Sequence, residues 1–287
     1  MAETIVVAVD GEPAHRAALD WAAARAERTG SRLHLIHVVE PSWGDRGGEP
    51  GPSLLRMSGE LLAAEKDYAL AGAAALAGAA AAMPLEIGTE SRYGHLAAEL
   101  AAASADAAML VIGTPPEAER RHAFASSSAA RVAAAARCSV AAVPHGWGAE
   151  GRGVVVGVDG ELTEDPAVEF AAVEAEALGE PLTIACAGFL YHPLLDERVV
   201  DETEDDPREQ VVEDAADTVL AGHPAVTVFT EVLETSPARG LVAEADGSRM
   251  LVLGSNDWQG VERAVLGSVA HDVLVNLRTP VVVVRAG

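Results

Sequence analysis

Two copies of one small set of residues carry most of the chemistry this sequence can offer. An aspartate followed by a glycine closes an apolar run at Asp10-Gly11 and again at Asp159-Gly160. A lone glycine closes a later apolar run at Gly113 and again at Gly254, and Gly267-Ser268-Val269 opens a helical stretch near the C-terminus. Glycines let the backbone approach an anion closely, and the first N–H groups of a helix bind phosphate oxygens without any cationic side chain. That matters in a chain whose single lysine is Lys66. A carboxylate at a strand end can accept hydrogen bonds from a ribose or an adenine edge. The chemistry on offer is the seating of a nucleoside with an anionic tail. The other reading of Asp10 and Asp159 is an ordinary strand-end carboxylate bound to nearby amides.

Other chemistries find little support. No Gly-x-Ser-x-Gly elbow and no Gly-x4-Gly-Lys loop is present. His34 and His37 lie three apart on a strand and so point to opposite faces, which rules them out as a metal pair. The remaining histidines are scattered, with no Cys or His neighbour at zinc spacing. Cys138 and Cys186 are too few for a disulfide framework and are expected to pack as small hydrophobes. Glu161, Glu164 and Asp165 crowd the end of the Asp159 strand. They would either repel a phosphate chain or hold Mg2+ beside it, since carboxylates suit that hard cation.

The elements that must position these residues are duplicated. Val6-Val7-Ala8-Val9-Asp10-Gly11 returns as Val155-Val156-Gly157-Val158-Asp159-Gly160, and the offset of 149 continues without a gap through Gly30 and Gly179 to Leu33 and Leu182. Met109-Leu110-Val111-Ile112-Gly113 has its counterpart in Met250-Leu251-Val252-Leu253-Gly254, and Ser139–Val143 in Pro280–Val284. So long a period is that of a duplicated domain and not of a solenoid. Domains are expected over 1–146 and 152–287, joined through Pro144-His145-Gly146-Trp147-Gly148. Within each, nearly unbroken apolar strands alternate with helices, the pattern of a parallel sheet covered on both faces. Strands are predicted near 3–10, 32–39, 85–91, 108–113 and 139–144, then 153–159, 181–188, 225–233, 249–254 and 280–285. Helices are predicted near 13–29, 53–82, 94–104 and 126–137, then 165–178, 207–221, 237–246 and 267–277. The run Asp201–Asp206 reads as a solvated acidic surface or a partly disordered one.

Composition narrows the partners. The 287 residues hold 44 acids against 20 bases, a formal net charge of −24. Residues 1–150 carry 18 acids and 12 bases, so 26 acids and 8 bases remain for 151–287. Such a surface repels nucleic acid and anionic membranes. The longest uncharged stretch, Tyr68–Leu85, is mostly Ala and Gly and too weakly apolar for a membrane span. With no signal-like start, the expectation is a cytoplasmic protein.

In the order and spacing of these features the whole chain resembles the universal stress protein family in tandem form. The resemblance is carried by the strand ending in Val-Asp-Gly, by His37-Val38-Val39, by Gly254-Ser255-Asn256-Asp257, by Gly267-Ser268-Val269 and by the closing Pro280–Val284. It implies an α/β fold of two doubly wound domains, each a five-stranded parallel sheet in the order 3-2-1-4-5 with helices on both faces. Some members of that family bind ATP through Gly, two residues, Gly, nine residues, then Gly-Ser or Gly-Thr, and others lack the pattern and bind none. The second domain keeps the spacing as Gly254, Asp257 and Gly267-Ser268, with Asp257 in place of a glycine. The first keeps Gly113 but follows it with Thr114-Pro115-Pro116 and offers Ser126-Ser127. Two prolines cost two backbone donors, so nucleotide is expected in the second domain alone. By resemblance, Asp159 and Ala187 hold the adenosine end, and Gly254, Ser255, Asp257, Gly267, Ser268 and Val269 lie at the phosphates, with ATP and Mg2+ as the ligands.

Three functions remain open: a stress-response module that binds an adenine nucleotide weakly, a ligand-free module acting through protein contacts, and a slow nucleotide hydrolase. The last lacks a Ser-Gly-Gly-x-Asp-Ser loop after the first strand, and no catalytic residue is assigned. Bare apolar edges invite pairing, so the fifth strands, Val140–Val143 and Val281–Val284, are expected to join the domains in an intramolecular pseudo-dimer, with homodimerisation of the whole chain left open.

Overall fold

The computed structural model describes residues 3–41, 51–77, 85–114, 126–160, 165–188, 191–192, 197–198, 206–255 and 266–285. The chain divides into two compact units, the first ending at Gly148 and the second beginning at Ala149. In the first unit the strands are β1 (Thr4–Ala8), β2 (Arg32–Val39), β3 (Ile87–Tyr93), β4 (Met109–Thr114) and β5 (Ser139–Pro144). The helices between them are α1 (Arg16–Thr29), α2 (Pro52–Ala77), α3 (Leu96–Ala103) and α4 (Ser126–Ala135). The sheet order is β3-β2-β1-β4-β5 and every pairing is parallel, with Ile5 opposite both Leu33 and Met109.

The second unit repeats this plan. Its strands are β6 (Val154–Val158), β7 (Leu182–Ala187), β10 (Val228–Leu233), β11 (Met250–Gly254) and β12 (Val281–Val284). Its helices are α5 (Pro166–Leu178), α6 (Pro207–Gly222), α7 (Pro237–Glu244) and α8 (Ser268–Asn276). The order β10-β7-β6-β11-β12 is again parallel throughout and is the expected 3-2-1-4-5 order. Right-handed crossovers put α5 and α6, which lead outward from β6 to β10, on one face, and α7 and α8, which lead back across, on the other. Two further strands of two residues each, β8 (Tyr191–His192) and β9 (Glu197–Arg198), pair antiparallel within the stretch that joins β7 to α6.

The central strands are apolar on both sides because helices cover both. Val7, Leu35, Ile36, Leu110 and Val111 in the first unit, and Val154, Val156, Leu182, Ile184, Leu251 and Val252 in the second, are inaccessible to solvent. Each such side chain contributes about 1.5–3 kcal/mol of transfer energy. The outer strands depart from the expected unbroken runs. β3 reads Ile-Gly-Thr-Glu-Ser-Arg-Tyr and exposes Gly88, Thr89 and Ser91, and Phe229 on β10 is 54% exposed. An edge strand has one neighbour and less helix above it, so polar residues cost little there.

The helix ends follow local rules. α1 and α5 both stop at a left-handed glycine, Gly30 and Gly179. α5 and α6 both start with an aspartate cap followed by proline: Asp165 accepts from the Ala167 N–H and Asp206 from the Arg208 N–H. Asp206 is thus a cap, also gripped by the Arg208 guanidinium, which corrects its reading as part of a solvated acidic run. Asp201–Asp205 lie outside the described residues. Other boundaries shift slightly: Pro13–His15 form a 3-10 turn before α1, β10 begins at Val228, and α2 is described only as far as Ala77. Both cysteines are buried and in no disulfide, and burial pushes the Cys186 thiol up.

One polar network locks α1 onto α2. Arg16 makes a forked ion pair with Glu65, with Nη2–Oε1 at 2.9 Å and Nε 3.2 Å from both oxygens, although Glu65 is buried. Its guanidinium also lies 4.4 Å above the centre of the Tyr68 ring, and the Tyr68 hydroxyl donates to Asp20 at 3.2 Å. Glu65→Ala would strip the part-buried Arg16 guanidinium of its partner and leave a void where the buried Glu65 stood. It is expected to lower the stability of the first unit by about 1–3 kcal/mol, measured as a shift of the urea unfolding midpoint.

Candidate functional site

In a sheet of this order, the strands after β6 lead away in opposite directions, so a crevice opens beyond the carboxyl ends of β6 and β11 that no crossover helix can cover. A cavity of about 140 Å3 occupies that place in the second unit. Asp159 follows β6, Ala187 ends β7, Gly254 ends β11, and Gly267, Ser268 and Val269 open α8; all six line it. The crevice brings together residues separated by more than a hundred positions. At α8 the cap residue is Gly267, and no side chain caps the helix there. The first helical bond is His271 N–H to Gly267 O at 2.9 Å, so the N–H groups of the first turn precede the backbone ladder. These are the donors an anion can use.

Two residues expected at the phosphates fare differently. The Ser255 N–H donates to Val284 O at 2.9 Å, and its hydroxyl is buried with no hydrogen-bond partner among the described residues. Ser255 is not among the residues that line the cavity. Its donor is spent in extending the β11–β12 ladder, a role spacing alone does not reveal. Asp257, Glu161 and Glu164 lie outside the described residues.

Other wall residues escaped the sequence reading. Pro237 and Leu241 of α7 form an apolar side, and Gly157 lies beneath them. A Cβ at Gly157 would sit 2.9 Å from Leu241 Cδ1 and 3.0 Å from Leu253 Cδ2. The change from Ala8 in the first copy to Gly157 in the second was visible as a signal for this close approach. Pro237 and Leu241 gave none, because an apolar position on a short helix looks the same whether it packs on a sheet or walls a cleft.

At the corresponding corner of the first unit the aspartate is tied to its own chain. Asp10 Oδ2 lies 2.6 Å from His15 Nδ1, and Asp10 Oδ1 accepts from the Glu12 N–H at 3.0 Å. Burial would raise the Asp10 carboxyl, but these hydrogen bonds outweigh it and hold it below the usual range. The His15 turn also presses on the strand-end glycine: a Cβ at Gly113 would meet His15 Cβ and His15 O at 3.3 Å. Among the described residues the nearest atoms at Gly254 are Asp165 Oδ1 at 3.7 Å and Ala167 Cβ at 4.0 Å. Pro115 and Pro116, and the side chains of Ser126 and Ser127, are outside the described residues.

The histidines and acids form no metal centre: among the described residues no group of three or more His, Cys, Asp or Glu is placed to hold a metal. His34 pairs with Glu90 at 3.0 Å and His37 with Ser58 at 2.7 Å. No helix among the described residues is long and apolar enough to cross a membrane.

Asp165 is the acid nearest the crevice whose protonation is displaced. Burial raises its carboxyl first and the charge of Asp159 adds to that, against the lowering effect of its bond from Ala167 N–H. A raised acid is destabilising when ionised, so its cost is present above the raised value and vanishes as pH falls below the ordinary value of 3.8. Asn is an equally good cap without the charge. Asp165→Asn is therefore expected to raise the melting temperature at about pH 7 and to leave it unchanged near pH 3.5, as read by calorimetry at the two pH values.

Comparison with known proteins fixes the family. The universal stress protein family model matches residues 1–144 and again residues 152–285. Universal stress protein Rv1996 of Mycobacterium tuberculosis is 28% identical over 303 residues, covering 98% of this chain and 94% of the relative. Universal stress protein Rv2623 of the same organism is also 28% identical, covering 98% and 96%. Among solved structures, a universal stress protein from Archaeoglobus fulgidus DSM 4304 superposes with a TM-score of 0.69 at 14% identity, covering 99% of this chain and 97% of that one, a likeness of fold. Matched twice over nearly its whole length, the chain belongs to the universal stress protein family and carries two of its domains in tandem.

Proposed function

We propose that this universal stress protein is a nucleotide-binding module, taking one adenine nucleotide per chain in the crevice of the second unit. The observation that carries the reading is the convergence of Asp159, Ala187, Gly254, Gly267, Ser268 and Val269 on one cavity. Asp159 and Ala187 stand at the nucleoside end, where a carboxylate accepts from a ribose and an alanine leaves room for a base. Gly254 and the first turn of α8 stand at the phosphate end, where backbone N–H groups and the helix dipole favour negative charge.

Size and charge both argue for weak binding. Pockets that enclose whole drug-sized ligands measure about 300–1,000 Å3, so 140 Å3 encloses part of a nucleotide and leaves the rest at the rim. The acids around the crevice oppose a phosphate chain, which makes Mg2+ carried on the phosphates the natural partner, with one or two carboxylates completing its shell. The first unit takes no nucleotide in this reading, because His15 and the Glu12 N–H already hold the Asp10 carboxylate.

Isothermal titration with ATP, ADP and cyclic AMP, each with and without Mg2+, tests the reading. One Mg2+-dependent site per chain is expected. Gly267 has an ordinary backbone conformation (φ −58°, ψ 150°), so a larger residue there fills the crevice without straining the chain. Gly267→Tyr is expected to weaken binding at least tenfold, the loss of one or two charge-assisted bonds of about 1.5–3 kcal/mol each. Unchanged affinity in that variant would defeat the assignment, and the absence of heat up to millimolar ATP would replace it with the ligand-free reading.

A further inference from the structure

We propose that the groove between α5 and α6 of the second unit binds a small aliphatic cation, a guanidinium or ammonium group on a hydrocarbon stem. This groove is on the other face of the sheet from α7 and α8, and the proposal stands apart from the nucleotide reading. It holds a cavity of about 850 Å3, open to solvent along the exposed Glu169, Asp214 and Asp217 and large enough for a whole small molecule. Its walls are apolar at Val158, Val211 and Val219 and acidic at Asp165, Glu169, Asp214 and Asp217. No lysine or arginine is among its described lining residues.

The first unit shows what this groove holds when it is filled. The offset of 149 sets Arg16 on Asp165 and Asp20 on Glu169. The next helix is anchored by the glycine after each first strand. A Cβ on Gly11 would meet Leu61 at 2.8 Å and one on Gly160 would meet Val211 at 2.6 Å, so Leu61 answers to Val211. That correspondence sets buried Leu62 on buried Val212 and buried Ala69 on buried Val219, and it sets Glu65 on Ala215 and Tyr68 on Thr218. In the first unit the space between the helices is occupied by the Arg16 guanidinium, clasped by Glu65 and stacked on Tyr68, whose hydroxyl reaches Asp20. In the second unit the cation has become an acid, its carboxylate clasp an alanine and its aromatic platform a threonine. The carboxylate at the Asp20 position is retained as Glu169.

Together these changes remove the filling and invert the charge. A groove that holds a cation internally in one copy is, in the other, a cavity lined by acids. Solvent alone is a poor occupant beside three valines. An alkyl stem can cover the valines while its cationic end takes the place of the Arg16 guanidinium. Among the described residues the charged neighbours are few. His223 lies 2.8 Å from Glu176 and 3.4 Å from Glu169, Gln210 donates to Asp214, and Asp165 caps α5. One imidazole at one end does not neutralise four carboxylates.

The test uses agmatine, a four-carbon chain with a guanidinium at one end and an ammonium at the other, titrated calorimetrically into the full-length chain. A saturable one-to-one site with Kd below about 1 mM is expected at low salt, weakening several-fold near 150 mM NaCl as the carboxylates are screened. Glu169→Gln is expected to weaken it at least fivefold. The combined Asp165→Arg, Ala215→Glu and Thr218→Tyr variant rebuilds the plug of the first unit. It should abolish binding and raise the melting temperature. No saturable heat at about 10 mM agmatine overturns the proposal. So does binding that is unchanged in Glu169→Gln, which would mark the cation as a diffuse counter-ion. If the combined variant does not fold, the Glu169→Gln comparison decides alone.

Discussion

The reversal of strand order beside the first strand of each sheet is the constraint from which the functional anatomy follows. A parallel strand must be followed by a crossover, and right-handed crossovers running in opposite directions place their helices on opposite faces. Between β6 and β11 neither set of helices covers the strand ends, and a crevice is left at a position the topology dictates. The sequence only decides what stands around it. In the second unit it supplies a glycine at the end of β11, a glycine before α8 and an aspartate after β6. In the first it supplies a histidine that closes on the aspartate instead.

Duplication lets each unit serve as a control for the other. Their sheets have the same order, their glycine caps have similar backbone angles, and buried positions such as Leu62 and Val212 correspond. The scaffold has been kept while the polar chemistry between helices has changed. The Arg16–Glu65–Tyr68–Asp20 network joins two helices through a cation, an aromatic face and two acids. In the second unit the α5–α6 junction depends on apolar side chains and on His223 at the far end, held between Glu176 and Glu169, whose carboxylates raise its affinity for a proton. A buried ion pair is seldom a strong source of net stability, because desolvation offsets its attraction. Its loss in one copy is therefore tolerable, and the space it vacates becomes available for another role.

The uneven charge of the two halves bears on both sites. Of the net −24, most falls on residues 151–287, which contain both the crevice and the acidic groove. Such a field opposes an anionic ligand and attracts a cationic one. Nucleotide binding here has to rely on directed N–H groups and on a metal that travels with the phosphates. A cation entering the groove between α5 and α6 is helped by every nearby carboxylate.

The sequence by itself determined the fold class, the strand order implied by its family resemblance, and the duplication. These depend on runs of Val, Ile, Leu and Ala and on repeated Asp-Gly and strand-end glycines, and such patterns are local. Its family resemblance also pointed to Asp159, Ala187, Gly254, Ser255, Asp257, Gly267, Ser268 and Val269 as one site, and six of these line the crevice. Only the tertiary structure decided the rest. That Asp206 is a cap, that the Ser255 N–H is spent on Val284, that His15 holds Asp10 and that a cavity opens between α5 and α6 all depend on which atoms of distant segments meet. The substitution of Arg16 by Asp165 is readable as a change of letters. That it empties a groove is not, because volume and hydrogen-bond partners belong to neighbours that folding alone brings together.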